Sequence, residues 1–334
     1  MSRCYISAVE RTAKGETVAP QGDSHSPAPP ATDGPTRIRL GLTTPVLSMV
    51  PGVHAPWEVD GTIDDVATIA RAADALGYDH LTCSEHVVVP TDVATSRGSR
   101  YWDPLATFGY LAAVTSRIHL ATNVLVLGYH HPLEIAKRYG TLDQVSGGRV
   151  ILGVGVGSLR EEFELLGCPF DDRGRRADDA LSALRVSLSE RLPEYDGPYY
   201  RYSGVVLDPC ARQPSVPLWI GGRTGRSLRR AVELADGWAP FGIRAADVAT
   251  MIADARDTRA WAGRARPLEV VLRNGRALDP VGDPDGARQI AARLVAAGAT
   301  GLQLWFAHRS PSHYLEQLEA MAALMGLVPA GDAP

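Results

Sequence analysis

Residues 118–157 read IHLATNVLVLGYHHPLEIAKRYGTLDQVSGGRVILGVGVG, and three segments separate within them. An apolar, β-branched run ends near Gly128. From Pro132 to the Gly147-Gly148 stop, apolar residues recur at spacings of three and four, the period of a helix. The run RVILGVGVG follows at once. Two strands joined by a helical crossover of this length pair in parallel. The same grammar extends in both directions. Strands are expected at 38–44, 80–86, 118–128, 149–157, 217–222, 237–242, 268–275 and 301–307, each followed by a helical stretch. Several of those stretches open on Asp, Thr or Ser and close on Gly, as capped helices do. Eight alternating units predict an α/β fold, a (β/α)8 TIM barrel spanning 37–328, with insertions after strand 4 (158–175) and before strand 5 (195–216). The second insertion, opening on YDGPYYRY, reads as a hairpin. An open doubly wound sheet is the rival architecture, disfavoured by eight parallel strands in one chain.

Residues 1–36 change in composition to Pro, Ser, Gly, Thr and Ala, so a disordered N-terminal extension is expected, and 329–334 are read as a flexible tail. Of the 334 residues, 45% are apolar, enough for a sizeable core. Lys and Arg total 34 against 38 Asp and Glu, a net charge of −4, which leaves no basic excess for a phosphate backbone or an anionic membrane. No run approaches the roughly 20 apolar residues of a membrane span, and the start lacks the apolar core of a signal peptide. A soluble cytoplasmic protein is expected. Cys4, Cys83, Cys168 and Cys210 lack the spacing of a zinc site or a disulfide framework. The two lysines, Lys14 and Lys137, leave Schiff-base chemistry with one candidate, on the outside of a helix.

In a barrel of this kind the site lies at the carboxyl ends of the strands. Glu85 and His86 close strand two, a carboxylate beside the side chain best suited to proton exchange near neutrality. Thr122-Asn123-Val124 interrupts strand three with a polar residue. GVGVGS (153–158) removes side chains from one face of strand four, which would let something flat approach the backbone. Its spacing is not that of a dinucleotide-binding fingerprint. WIGGRTGRSLRRA places Gly221, Gly222, Arg223 and Thr224 at a helix start, an arrangement suited to phosphate. Arg273-Asn274 and His308-Arg309 end strands seven and eight. His131 before Pro132 reads as a helix cap, and no metal-ligand motif or GxSxG elbow is present. A phosphate site with an acid/base His and no metal cluster points to a flat, phosphorylated cofactor that carries the redox step.

SEHVVVP, residues 122–157, REEFELLGCPFDDRGRRADDAL, YDGPYYRY and PLWIGGRTGRSLRRAVELADGWAP together resemble the bacterial luciferase-like flavin and deazaflavin oxidoreductases, and within them the F420-dependent branch. The resemblance runs from about Ile38 to Gly326. It implies the deazaflavin ring over the strand ends, phosphate at Gly221–Thr224, and hydride transfer at ring carbon C5. It places Glu85 against the ring's polar edge and His86 toward the reacting carbon or the substrate. Asn123-Val124 falls at the family's bulge beneath the ring, where a non-proline cis peptide is usual, and Gly155 and Gly157 floor the site. Ser158 stands where the family's sugar-phosphate dehydrogenases carry a Glu and closer relatives more often a Trp, which weakens the case for a sugar-phosphate substrate. The expected function is hydride transfer between coenzyme F420 and a small carbonyl, alcohol, imine or enone. An FMN-dependent monooxygenase and a non-catalytic flavin-binding protein stay open. Arginines near the phosphate loop favour F420 with its acidic tail. A homodimer is the family's common form.

Overall fold

The computed structural model describes residues 38–329, and the expectations for residues 1–36 and for the tail beyond Pro329 lie outside the described residues. In chain order the strands are β1 (Arg39–Thr43), β2 (His80–Cys83), β3 (His119–Thr122), β4 (Leu125–Val126), β5 (Val150–Gly155), β6 (Tyr195–Asp196), β7 (Arg201–Tyr202), β8 (Leu218–Gly221), β9 (Gly237–Ala239), β10 (Glu269–Arg273) and β11 (Gly301–Leu304). The helices are α1 (Ile63–Leu76), α2 (Ala94–Arg97), α3 (Pro104–Val114), α4 (Pro132–Ser146), α5 (Arg160–Leu165), α6 (Arg173–Ser187), α7 (Gly225–Leu234), α8 (Ala245–Arg256), α9 (Arg259–Ala262), α10 (Pro284–Ala296) and α11 (Pro311–Met325).

Eight strands pair in parallel in the order β1, β2, β3, β5, β8, β9, β10, β11, and β11 returns to β1. Leu42 lies opposite Leu81 on one side and Leu304 on the other, so the ring is closed. All eight expected strands are present. The third is broken: β3 stops at Thr122, two residues bulge out of the ladder, and β4 resumes beside β5. The expected hairpin forms from β6 and β7. The helix expected over 245–263 is two helices, because the Thr258 hydroxyl caps a new start by accepting from the Trp261 N–H.

Side-chain alternation sorts each strand into two faces. Ala121, Ile151, Trp219, Ala239 and Val271 form a small cluster inside the barrel, whereas Leu42, Leu81, Leu120, Leu152, Ile220 and Leu304 belong to the main core beneath the helices. At the amino end of the strands Glu269 accepts from Trp219 Nε1 at 2.8 Å and pairs with Arg39 at 2.8 Å. The capping signals act as read. Thr62, Asp103, Thr224, Asp283 and Ser310 accept from the first turns of their helices, and Gly77, Gly147 and Gly326 close α1, α4 and α11 in the left-handed conformation. His131 is the cap of α4, its Nδ1 accepting from the Leu133 N–H. No described helix is long and apolar enough to cross a membrane.

Candidate active site at the carboxyl ends of the strands

His80 and Thr82 on β2 point into the barrel, the Thr82 hydroxyl taking an amide hydrogen of Gln303. Past Cys83, where β2 ends, the chain runs Ser84, Glu85, His86, and each side chain finds a different partner. The Ser84 hydroxyl donates to the Asn123 carbonyl at 2.7 Å, and the Glu85 N–H donates to the Val124 carbonyl at 3.2 Å. Both bonds hold the bulge between β3 and β4, whose Asn123–Val124 peptide is cis.

Glu85, expected against a ligand, is held by the protein itself. Its Oε2 accepts from the Val126 N–H at 2.7 Å and its Oε1 pairs with His130 Nε2 at 2.7 Å, in a small space lined by Asp103, Leu125, Arg138 and Tyr139. Burial alone would lower the His130 pKa, and the Glu85 carboxylate more than offsets this and raises it. Glu85 is therefore a clasp behind the bulge.

His86 is half-buried, and its partner is Glu162. Glu162 is fully buried, and its Oε2 accepts from His86 Nδ1 at 2.7 Å and from the Tyr129 hydroxyl at 2.7 Å. Its Oε1 accepts from the N–H groups of Val87 at 2.7 Å and Val88 at 3.2 Å. Burial pushes this carboxyl up, but the bonds from His86 and Tyr129 outweigh it and hold the group below its ordinary value. A carboxylate on Nδ1 places the imidazole proton there and leaves Nε2 as the free acceptor. The ring of Tyr101 packs edge-on against His86 at 4.5 Å. Glu162, and not its neighbour Glu161, takes this place. The signal that separates them is the spacing Leu159, Glu162, Phe163, Leu166, which puts Glu162 on the apolar stripe of α5. The insertion after the fourth barrel strand thus delivers the orienting group for a histidine on the second.

The glycine run is explained by the bulge. A Cβ on Gly155 would lie 2.7 Å from Val124, one on Gly221 would lie 2.5 Å from the same side chain, and one on Gly153 would strike the Thr122 carbonyl. Gly157, at φ +77°, lies against Phe163 and Val126. Val124 packs against Gly155 and Gly221, and Gly155 and Gly157 stay half-buried. Thr122 also departs from expectation: it is 1% exposed and its hydroxyl donates to the Gly153 carbonyl at 2.7 Å. Asn123 faces inward, its amide donating to Gln303 Oε1 at 2.7 Å. Ser158 is exposed and accepts from Arg97 Nη1 at 3.2 Å, so the position of the missing acid is approached by a guanidinium from α2.

At the start of α7, Thr224 is committed to the helix: its hydroxyl accepts from the Ser227 N–H, and its own N–H donates to Ser227 Oγ at 3.2 Å. The Gly225 and Arg226 N–H groups, first in the helix, have no intrahelical acceptor and are exposed, with the exposed Arg223 before them and Gly222 at φ +110°. Among the described residues no group of His, Cys, Asp and Glu is arranged to hold a metal ion.

A closed (β/α)8 barrel with a histidine–carboxylate pair and a bulged third strand at its mouth defines the class. Residues 44–278 match the luciferase-like monooxygenase family, and the chain belongs to it. An uncharacterized protein of Mycobacterium tuberculosis is 30% identical over 270 residues, 77% of this chain and 92% of that protein. A phthiodiolone/phenolphthiodiolone dimycocerosates ketoreductase of Mycobacterium bovis is 26% identical over 261 residues, 71% of this chain and 67% of that one. Among solved structures, monooxygenase RslO1 from Streptomyces bottropensis superposes with a TM-score of 0.68 at 20% identity, covering 86% of this chain and 98% of that one. The coenzyme F420-dependent tetrahydromethanopterin reductase from Methanopyrus kandleri does so with a TM-score of 0.66 at 16% identity, covering 86% and 97%. These two likenesses establish the shared fold.

Proposed function

We propose that this protein is an F420-dependent oxidoreductase acting on a small carbonyl, alcohol, imine or enone, with His86 as its proton-transferring residue. The observation that carries the reading is the His86–Glu162 pair, 2.7 Å apart at the barrel mouth, with Nε2 left free of protein partners among the described residues. A storage protein needs no such pair. A named ketoreductase among the relatives and F420-dependent enzymes among the structural neighbours support the choice of chemistry.

The residues present fit the cofactor. The N–H groups of Gly225 and Arg226 with the Arg223 guanidinium form an anion site at the start of α7, suited to a phosphate. Val124, pressed against Gly155 and Gly221, offers an apolar platform for a flat ring. When bound, F420 supplies a hydride donor or acceptor at its ring carbon C5. His86 Nε2 gives or takes the proton at the substrate oxygen or nitrogen whose charge the hydride step changes, and Glu162 stabilises the imidazolium that forms when Nε2 holds that proton.

The test begins with binding of F420 and of FMN to the purified protein, followed by absorbance. Tight binding of F420 is expected, and binding of FMN alone would replace the reading with the monooxygenase. With an accepted substrate, His86→Asn should lower kcat at least about tenfold, within the ~10²–10⁴ range of acid–base assistance, while cofactor affinity changes by less than about 1 kcal/mol. An unchanged hydride-transfer rate would remove His86 from the chemistry.

A further inference from the structure

Partly buried arginines in this protein find acceptors. Arg149 donates to the Ser146, Ile118 and Ala112 carbonyls, Arg264 to the last carbonyls of α7, and Arg185 pairs with Asp236 at 2.6 Å. Arg273 does not. It is the last residue of β10, where Glu269 and Val271 occupy the inner positions before it, so its side chain is the next to point into the barrel and the one nearest the mouth. Its neighbour across the ladder is Gln303, whose amide bonds Asn123 and the Thr43 hydroxyl at the top of the barrel. The Trp305 ring lies 5.7 Å from its guanidinium, and among the described residues no side-chain or backbone acceptor bonds it. Burial, with no carboxylate near enough to offset it, holds this guanidinium below its ordinary pKa. A charge taken from water without a partner is costly, and the cost is relieved when a ligand brings the counter-charge.

We propose that Arg273 is a specificity-determining residue of the mouth, and that the substrate carries an anionic group, a carboxylate or a phosphate, which the guanidinium receives. Its planar fork matches either oxyanion with two parallel hydrogen bonds, while the Trp305 ring beside it favours an apolar or aromatic body next to the charge. That the anion belongs to a substrate rests on the oxidoreductase reading above. The anion site itself rests only on the geometry of β10 and β11.

The experiment follows melting of the purified protein in acetate or inorganic phosphate against chloride at constant ionic strength, with and without saturating F420. Wild-type protein should gain about 2–5 °C at anion concentrations near ten times Kd, in both forms. With F420 saturating, so that the start of α7 is filled, Arg273→Met should lose that gain, and Arg273→Lys should keep part of it. Arg273→Met should also melt at or above the wild-type temperature in chloride, because a desolvated, unpaired charge has been removed; this distinguishes a lost site from a damaged fold. With F420 bound, a response that survives in Arg273→Met would place the anion elsewhere and overturn the proposal. A wild-type response abolished by F420 would assign the site to the cofactor and overturn the substrate claim. Failure of F420 to bind at all would sink the oxidoreductase reading while leaving the acetate comparison intact.

Discussion

Ser84, Glu85 and His86 show how neighbouring residues come to hold different partners. Past the end of β2, Glu85 bonds the Val126 N–H and His130, whereas His86 pairs with Glu162. Their adjacency in sequence suggested one shared site; their partners differ. His86 was legible because a titratable side chain at a barrel strand's end stands out, and Glu162 was only half legible because its partner is 76 residues away. Glu162→Gln tests the pairing. The amide retains an oxygen for the Val87 and Val88 N–H groups, but its NH2 then donates to His86 Nδ1 and favours the opposite tautomer, so kcat should fall at least about tenfold with stability reduced by about 1–3 kcal/mol. The acid limb supplies a readout that mere structural support would not move. The folded carboxyl titrates below its value in the unfolded chain, so its stabilisation is present at neutral pH and is lost as pH falls below about 4.5 and through the folded value. Urea unfolding at pH 6 and pH 4 should show that loss in the wild type and a smaller one in the variant; equal losses would count against the ion pair.

At the scale of elements, the eight strands and their order around the barrel were legible, because parallel strands buried on both faces write near-continuous apolar runs between capped helices. The division of the third strand was not legible from periodicity. LATNVLV is apolar but for Thr122 and Asn123 and reads as one buried strand, and the bulge depends on glycines in two other strands that clear space for it. Those glycines were noticed for what they lack, yet the occupant is the chain's own backbone and Val124. The two positions differ in severity. At Gly153 the added methyl meets the Thr122 carbonyl, which cannot move without shifting β3, whereas at Gly155 it meets a single stiff Val124 side chain. Gly153→Ala should therefore lose more stability than Gly155→Ala, the pair bracketing roughly 1–3 kcal/mol or more as overpacked sites do. Denaturant midpoints measure this. Gly155→Ala,Val124→Ala should recover stability relative to the single Gly155 variant, and its failure to do so would mean that the glycine answers to something other than the bulge.

Across the whole molecule, the barrel is closed a second time above the strands, where the first and last βα units meet. Trp57 Nε1 donates to His308 Nδ1 at 2.8 Å, and His308 Nε2 approaches Glu58 at 3.4 Å. Glu58, 2% exposed, accepts from the N–H groups of Val46 at 2.6 Å and Ala55 at 2.7 Å, and Val46 holds a left-handed φ of +72° that a β-branched residue rarely adopts. The loop after β1 is thus pinned by groups borrowed from its own turn and from the loop after β11. Burial first, and His313 second, lower the His308 pKa to about 4, and the geometry gives the reason: an indole N–H already faces the nitrogen that would have to be protonated. Between pH ~6.5 and about 4 the unfolded chain binds a proton here that the folded chain refuses, so this residue makes stability fall as pH drops through that window and contributes no slope above it. Trp57→Phe removes the donor, frees Nδ1 to accept a proton beside Glu58, and should shrink the fall in stability between pH 7 and pH 5.5. The difference between the two proteins isolates His308, because Glu58 and His130, both raised, slope the other way. Urea unfolding of wild type and Trp57→Phe at the two pH values decides it: parallel profiles offset by a constant packing loss would show that the tryptophan fills space there without setting the charge of His308.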